Sequence, residues 1–211
     1  MGIKIKGEQK RRGVVNRKKR LIMLIATEGK NKTEQLYFSN FKHNSKYAIQ
    51  FAKGNCTDPS NMVEGLKKQI QKEGFDKGDV AFCVFDMDAD PMREKEIREL
   101  FQESEKQEFD LIISNPCFEV WFICHFSNST KAFSDSDEVI KAVRKHINDY
   151  NKNKDIYPQL CAKTEVAIKN ADSLRKHHES LGHHSGDFQA NPFTAVDIIV
   201  KLLNSPKSAA T

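Results

Sequence analysis

Three runs of consecutive apolar residues stand out in the hydrophobic pattern of the chain and predict buried β-strands. They cover residues 21–26, 80–85 and 109–113. Uninterrupted apolar runs are typical of parallel-sheet strands, because helices cover both faces of such a sheet. Residues 47–52 alternate weakly between apolar and polar side chains, which predicts a further strand.

Segments with helical periodicity separate these strands. Residues 33–41 and 62–74 place apolar side chains three and four positions apart. A capping residue followed by proline, a pattern typical of a helix start, occurs at 90–91, 115–116 and 191–192. Because strands and helices alternate, the sequence predicts an α/β fold with a mainly parallel sheet flanked by helices.

The chain divides by composition into three predicted parts. Residues 1–19 form a basic tail without periodicity, residues 20–127 the α/β core, and residues 128–205 a helical elaboration packed on that core. In the last part, polar helices are predicted over 137–150 and 163–179.

The net charge of +5 is concentrated at the N-terminus. The first 20 residues contain nine Lys or Arg and one acid, so the remainder of the chain is net negative. A basic tail of this kind can neutralise phosphates, which predicts contact with nucleic acid, although a solubilising extension gives the same pattern. The predicted contacts in this region are Arg11, Arg12, Lys18, Lys19 and Arg20.

Composition narrows the class of protein. Hydrophobic residues make up 38% of the chain and charged residues 30%, which is typical of a globular domain. The five cysteines are odd in number, widely spaced and contain no C-x-x-C pair, which argues against a disulfide framework. No apolar run approaches the length of a membrane span, and no secretory pattern is present. We therefore expect a reduced, cytoplasmic protein.

Four acidic residues lie where the predicted inner strands end. Glu28 follows the first run, and Asp86 and Asp88 follow the run at 80–85. Glu119 lies just after the third run, among apolar residues, where a lone carboxylate needs a partner. The carboxyl ends of parallel strands meet at one edge, so these side chains should converge. Converging carboxylates favour Mg²⁺ or Mn²⁺, whereas the alternative is that each acid only caps a helix or ends a turn.

Basic residues accompany this predicted acidic edge. Lys30 and Lys32 lie in the turn after the first strand, and Lys53 follows the strand at 47–52, so all three are candidates for phosphate contact. The turn also contains Gly29 and leads into a helix N-terminus, which suits an anion. The spacing of a Walker loop is absent, so ATP binding has no support.

Six short motifs resemble the RloB-like protein family. The most specific is the Asn-Pro-x-Phe-Glu-x-Trp run that contains Glu119. The motifs lie at residues 27–29, 33–34, 84–88, 114–121, 125–126 and 191–196. The resemblance implies a toprim-like fold in which Glu28, Asp86 and Asp88 bind the metal. We expect Glu119 to be a catalytic residue that supports this cluster or positions a lysine.

The same resemblance implies a function. It suggests a Mg²⁺- or Mn²⁺-dependent toprim-type nuclease that cleaves DNA or RNA, with tRNA among the candidates. It also implies a place in bacterial phage defence or abortive infection, with an AAA-type ATPase as partner and self-association left open.

Two alternatives remain at this stage. A haloacid-dehalogenase-type phosphohydrolase would use Asp86 as nucleophile and Asp88 as acid/base. A non-catalytic scaffold for an ATPase or nucleic acid would keep the fold without the chemistry.

The histidines are predicted to be structural. His125 faces away from Glu119 on the predicted helix and is expected to be packed or capping. The histidines at 177–178 and 183–184 are predicted to lie in a solvated loop.

Overall fold

The structure is a computed structural model that describes residues 20–28, 33–43, 45–54, 58–88, 90–104 and 108–206. Its sheet contains β1 (Leu21–Thr27), β2 (Tyr47–Phe51), β3 (Val80–Asp86), β4 (Asp110–Asn115) and β5 (Phe193–Thr194). The strand order is β2-β1-β3-β4-β5. The first four strands are parallel, and β5 pairs antiparallel with β4. The predicted α/β class with a mainly parallel sheet is therefore confirmed, and it is consistent with a toprim-like fold.

Helices surround this sheet. They are α1 (Thr33–Ser39), α2 (Pro59–Glu73), α3 (Pro91–Ser104), α4 (Glu119–Cys124), α5 (Ser136–Arg144), α6 (Tyr157–Leu160), α7 (Thr164–Ser180) and α8 (Val196–Asn204). The short 3-10 helix Cys161–Lys163 joins α6 to α7. Helices α2 and α3 pack on each other and on the strands, whereas α4 packs against α5 and α7.

The inner strands and the first long helices form for the reasons that the sequence indicates. Every residue of β1 after Leu21 is buried, as is the interior of β3. Helix α2 begins where the Asp58 carboxylate accepts a hydrogen bond of 2.9 Å from Asn61 N, and it ends at Gly74, whose φ is 63°. Helix α3 begins after Asp90, whose carboxylate accepts a hydrogen bond of 2.9 Å from Met92 N. The Asp-Pro helix start at 90–91 is thus confirmed.

The two Asn-Pro helix starts are wrong. Asn115 ends β4, and its amide donates hydrogen bonds of 2.9 and 2.8 Å to the carbonyls of Phe188 and Ala190. Asn191 exchanges two hydrogen bonds with the backbone of Phe133, and both Asn-Pro peptide bonds are cis. The asparagine side chains therefore join distant loops instead of capping α4 and α8.

The C-terminal region differs from its prediction in two places. The polar helix predicted over 137–150 ends at Arg144, because the chain turns back and Arg144 Nε donates to the carbonyl of Tyr150 at 3.0 Å. The helix predicted over 163–179 is confirmed as α7, so the assignment of His177 and His178 to a solvated loop is wrong. His178 is buried there, with Nε2 2.9 Å from the carbonyl of Pro192.

One hydrophobic core joins the C-terminal helices to the sheet. All six residues of α4 are buried, and the Asn170 amide of α7 donates to the carbonyl of Cys124 at 2.8 Å. His125 is buried with Nδ1 2.9 Å from the carbonyl of Trp121, which confirms that it is packed. Among the described residues, no helix has both the length and the apolar character needed to cross a membrane.

Candidate active site

The predicted acids lie at the point where the strand order reverses. The chain passes from β1 to β2 on one side and then returns to β3 on the other side of β1. In open α/β sheets, ligands bind at the carboxyl ends of the strands at such a switch point. Glu28 directly follows β1, and Asp86 is the last residue of β3, so both lie beside this crevice.

The Arg93 side chain connects the three acids that were predicted to bind metal. Its Nη1 lies 3.0 Å from Glu28 Oε1 and 2.9 Å from Asp88 Oδ2, and it also donates to the backbone carbonyl of Asp86. Burial favours the neutral form of Arg93, but the negative charges of Glu28 and Asp88 raise its pKa. A single cationic nitrogen is therefore shared by oxygens from Glu28, Asp86 and Asp88.

The backbone after β3 directs Asp88 toward this position. Asp88 has a φ of 51°, a left-handed conformation that few residues other than glycine adopt. Hydrogen bonds hold the turn: Met87 N donates to the carbonyl of Ser114 at 2.9 Å, and Asp88 N donates to that of Pro116 at 2.8 Å. Strained backbone of this kind concentrates at functional sites.

The Asp86 carboxylate is held by the segment that follows β4, and its pKa is raised. Its Oδ1 accepts a hydrogen bond of 2.8 Å from Phe118 N. Burial raises the pKa of Asp86 well above its usual value, and the charges of Glu34, Glu119 and Glu28 raise it further. Burial also raises the pKa of Glu28, although the Arg93 charge opposes that effect.

Two further carboxyl groups lie deeper, and we call Glu34 and Glu119 the inner acid pair. Glu34 is 5% exposed and Glu119 is 1% exposed. The Oε2 atom of each lacks a hydrogen-bond partner among the described residues. Burial, followed by the Glu119 charge, raises the pKa of Glu34 to about 8. A buried carboxyl of this kind holds a proton at neutral pH.

Aromatic packing sets the position of the inner acid pair. Tyr37 of α1 packs edge-on against Phe118 and Trp121, with ring centroids 6.0 and 6.3 Å apart. Glu34 is one helical turn before Tyr37, and Glu119 begins α4 between the two aromatic residues. The hydrophobic contact between α1 and α4 thus brings the two carboxyl groups together.

Residues 145–156, which we call the connecting segment, supply the partners of Glu119. The Tyr150 hydroxyl donates to Glu119 Oε1 at 2.7 Å, and Lys152 Nζ lies 3.9 Å from the same oxygen. The carbonyl of Lys152 accepts a hydrogen bond of 2.8 Å from the Thr33 hydroxyl, which fixes the segment to α1. Burial opposes the charge on Lys152, but Glu119 and neighbouring groups together raise its pKa.

The donor set fits a divalent cation. Fully ionised, Glu28, Glu34, Asp86, Asp88 and Glu119 would carry more negative charge than Arg93 and Lys152 neutralise. Carboxylate oxygens are the ligands that Mg²⁺ and Mn²⁺ prefer, and the Arg93 nitrogen marks a place that attracts positive charge. Within the part of the chain that the structure describes, no three Asp, Glu, His or Cys side chains are already gathered as a metal site. The Arg93 guanidinium lies between Glu28 and Asp88 instead.

The predicted nucleic-acid contacts fall into three groups. Lys53 is exposed just after β2, beside a shallow cleft that Thr27 and Asn61 also line. Arg20 is described, but its guanidinium donates to the carbonyls of Lys42 and Ser45 at 3.0 and 2.7 Å. The others lie outside the described residues, so their contacts stay predictions: Lys30, Lys32, Arg11, Arg12, Lys18 and Lys19.

Sequence reasoning did not assign roles to several residues of this site. Glu34 has a detectable pattern, since it stands four and seven residues before the buried Phe38 and Phe41 on the inward stripe of α1. Arg93 lies in the first turn of the helix that follows the two aspartates, which is a weak pattern. Lys152 has none, because its contact with Glu119 depends on the path of a distant loop.

Fold and site together define the class: an α/β protein with a mainly parallel sheet and a cluster of carboxyl groups at its switch point. The family model described as RloB-like protein matches residues 23–203. The chain therefore belongs to the RloB-like protein family, and the match spans the sheet together with the C-terminal helices. No curated protein and no solved structure matches the chain.

Proposed function

We propose that this protein is a Mg²⁺- or Mn²⁺-dependent nuclease that hydrolyses phosphodiester bonds in DNA or RNA. The observation that carries the proposal is the convergence of Glu28, Asp86 and Asp88 on one cationic nitrogen at the switch point of the sheet. Such a position suits a cation that binds both carboxylates and a substrate phosphate.

Glu28, Asp86 and Asp88 would hold the metal. When bound there, Mg²⁺ or Mn²⁺ polarises the scissile phosphate and lowers the pKa of a water molecule. Alternatively, Glu28 would serve as the general base that accepts a proton from the attacking water. Glu119 would support these three residues from its buried position, where Tyr150 and Lys152 contact its carboxylate.

Substrate contact would come from the basic residues around the edge. Lys53 is exposed at the end of the strand beside β1, so it can reach a phosphate of a bound strand. Lys30, Lys32 and the basic tail would extend this contact along the backbone, since phosphates bind Lys and Arg regardless of base sequence.

The biological part of the proposal rests on family membership. The family resemblance supports a role in bacterial phage defence or abortive infection in the cytoplasm, with an AAA-type ATPase that controls the nuclease. Tests on the chain alone and with that partner separate the two parts of the proposal.

The direct test is Asp88→Asn, assayed on plasmid, genomic DNA and tRNA with Mg²⁺ or Mn²⁺. We expect a loss of cleavage of at least about 100-fold, equivalent to about 2.7 kcal/mol of transition-state stabilisation. Because the Asp88 side chain is 51% exposed, the melting temperature of the Asp88→Asn variant should stay near that of the parent. Asp110→Asn is the matched control, because Asp110 is exposed at the start of β4, at the opposite edge of the sheet.

Metal binding provides a second measurement. Saturating Mg²⁺ or Mn²⁺ should raise the melting temperature of the parent, because a ligand that binds only the folded state stabilises it. Full cleavage by Asp88→Asn, together with melting that is indifferent to metal, would contradict the proposed site. A parent that cleaves none of these substrates would favour a non-catalytic scaffold.

A further inference from the structure

We propose that Arg93 is an internal counter-ion that occupies the cation position of the acidic edge and leaves it when a divalent metal binds. This inference deepens the proposed function, because it concerns how the same residues change between their metal-free and metal-bound states. It assigns to Arg93 a positioning role that neither the family match nor the sequence motifs give it.

Mutual exclusion follows from the geometry. Arg93 Nη1 contacts Glu28 Oε1 at 3.0 Å and Asp88 Oδ2 at 2.9 Å, and it also contacts the Asp86 carbonyl. A Mg²⁺ ion binds carboxylate oxygens at about 2.1 Å. Both cations would need the same two oxygen atoms in the same gap, and their charges repel each other. One must leave when the other enters.

The Arg93 contacts are also of a kind that an ion can replace. The side chains of Glu28 and Asp88 are 21% and 51% exposed, so water and salt reach the pair. The contact with Asp88 is the more exposed of the two, and exposed ion pairs contribute little net stability. A divalent ion, by contrast, carries twice the charge on a smaller radius. The exchange therefore favours the metal once its concentration is sufficient.

A purely structural arginine in the same chain looks different. Arg175 grips the carboxylate of Asp197 with two nitrogens, at 2.5 and 2.7 Å. Asp197 is fully buried and also pairs with Lys201 at 2.8 Å. The Asp197 carboxylate is thus fully buried and held by two nitrogens, whereas the two carboxylates that Arg93 Nη1 contacts are both partly exposed. The contrast separates a fixed buried ion pair from an exchangeable one.

The exchange does not require helix α3 to move. Helix α3 is held independently of the acids, because Glu96 accepts hydrogen bonds of 3.2 and 2.7 Å from the backbone and hydroxyl of Ser60. Ile97 of the same helix is fully buried. The guanidinium can therefore turn away from Glu28 and Asp88 while the helix stays in place.

The test compares the full chain with Arg93→Met after removal of metal with EDTA. Mn²⁺ affinity is measured by calorimetry, and melting temperature is measured with and without Mn²⁺. Because the methionine variant has no internal competitor, we expect its Mn²⁺ dissociation constant to fall by about tenfold, which is about 1.4 kcal/mol. Its metal-free form should melt at a lower temperature, and Mn²⁺ should raise that temperature more than it does for the parent.

Arg98→Met is the matched control. Arg98 lies on the same helix and pairs with Glu94 and Asp187, neither of which belongs to the acidic edge. Its loss should leave Mn²⁺ affinity as in the parent. If Arg93→Met does not fold, the exchange is tested on the parent alone, with diamagnetic Mg²⁺ in place of Mn²⁺. Addition of Mg²⁺ should then shift the ¹⁵N resonance of the Arg93 side chain toward that of a solvated arginine.

Each outcome bears on the exchange. Equal or weaker Mn²⁺ binding by Arg93→Met, or an Arg93 resonance unmoved by saturating Mg²⁺, would overturn it. A parent that cleaves nucleic acid with unchanged affinity in the variant would refute the exchange alone and leave the nuclease standing. Tighter binding in the variant with no cleavage of any substrate by the parent would support the exchange and refute the nuclease.

Discussion

Replacement of the buried Glu34 by glutamine should change how the stability of the protein depends on pH. Glu34 is 5% exposed, and its pKa is raised from 4.5 to about 8, first by burial and then by the Glu119 charge. Glutamine has nearly the same shape but does not ionise. The variant therefore removes the titration while it keeps the packing of α1.

The sign follows from proton linkage. Since the folded pKa exceeds the unfolded one, the folded state binds more protons than the unfolded state between pH 4.5 and about 8. The stabilising effect of this proton is fully present below pH 4.5 and is lost as the pH rises through 8. The slope for one group is roughly 1 kcal/mol per pH unit, so the parent should lose about 2 kcal/mol more than Glu34→Gln between pH 6 and 8.

Urea unfolding in EDTA at half-unit steps from pH 5.5 to 9 measures this difference. Glu99→Gln is the control, because the Glu99 side chain is 67% exposed and lies 4.0 Å from Lys95 on the solvent side of α3. Its pH profile should follow that of the parent. Superimposable profiles for the parent and Glu34→Gln would refute the conclusion that a buried, protonated carboxyl lies beside Glu119.

Two further predictions concern contacts with other molecules. Deletion of residues 1–18 removes seven basic residues, so the slope of log affinity for DNA or RNA against log salt should flatten by up to about 0.9 per lost phosphate contact; equal slopes for both chains would mean that the tail only aids solubility. Co-expression with the proposed AAA-type ATPase should give a stable complex that holds or triggers the proposed nuclease, and charge reversals on exposed positions of residues 135–180 should weaken that complex more than Glu28→Gln does. Full activity of the lone chain, with no co-purifying ATPase, would refute this control.

The sheet and its acidic edge were predictable because they depend on local patterns. Apolar runs identify β1 and β3 in any context, and an acid placed at the end of a parallel strand must lie at the ligand-binding edge. The sequence therefore places Glu28, Asp86 and Asp88 correctly at that edge, although their role in metal binding stays a prediction.

The remaining contacts depend on tertiary packing, which local patterns do not encode. Asn115 has the pattern of a helix cap, yet its amide instead donates hydrogen bonds to the carbonyls of Phe188 and Ala190, about 75 residues away in sequence. Strand β5 has only two residues and exists because β4 offers it an edge. The burial of His178 depends on the segment after α7, which brings the carbonyl of Pro192 to its ring.

The hydrogen bond between Thr33 and the carbonyl of Lys152 joins residues 119 positions apart in the chain. Proteins are made from the N-terminus, so every nascent chain contains Glu34 and Glu119 before Tyr150 and Lys152 exist to hold Glu119. Closing so long a loop is also slow compared with forming a local helix. The order of synthesis therefore matters: the carboxyl groups are made first, but their final arrangement is available only after residue 152 has been made. A nascent chain that ends before residue 150 cannot hold Glu119 in this arrangement.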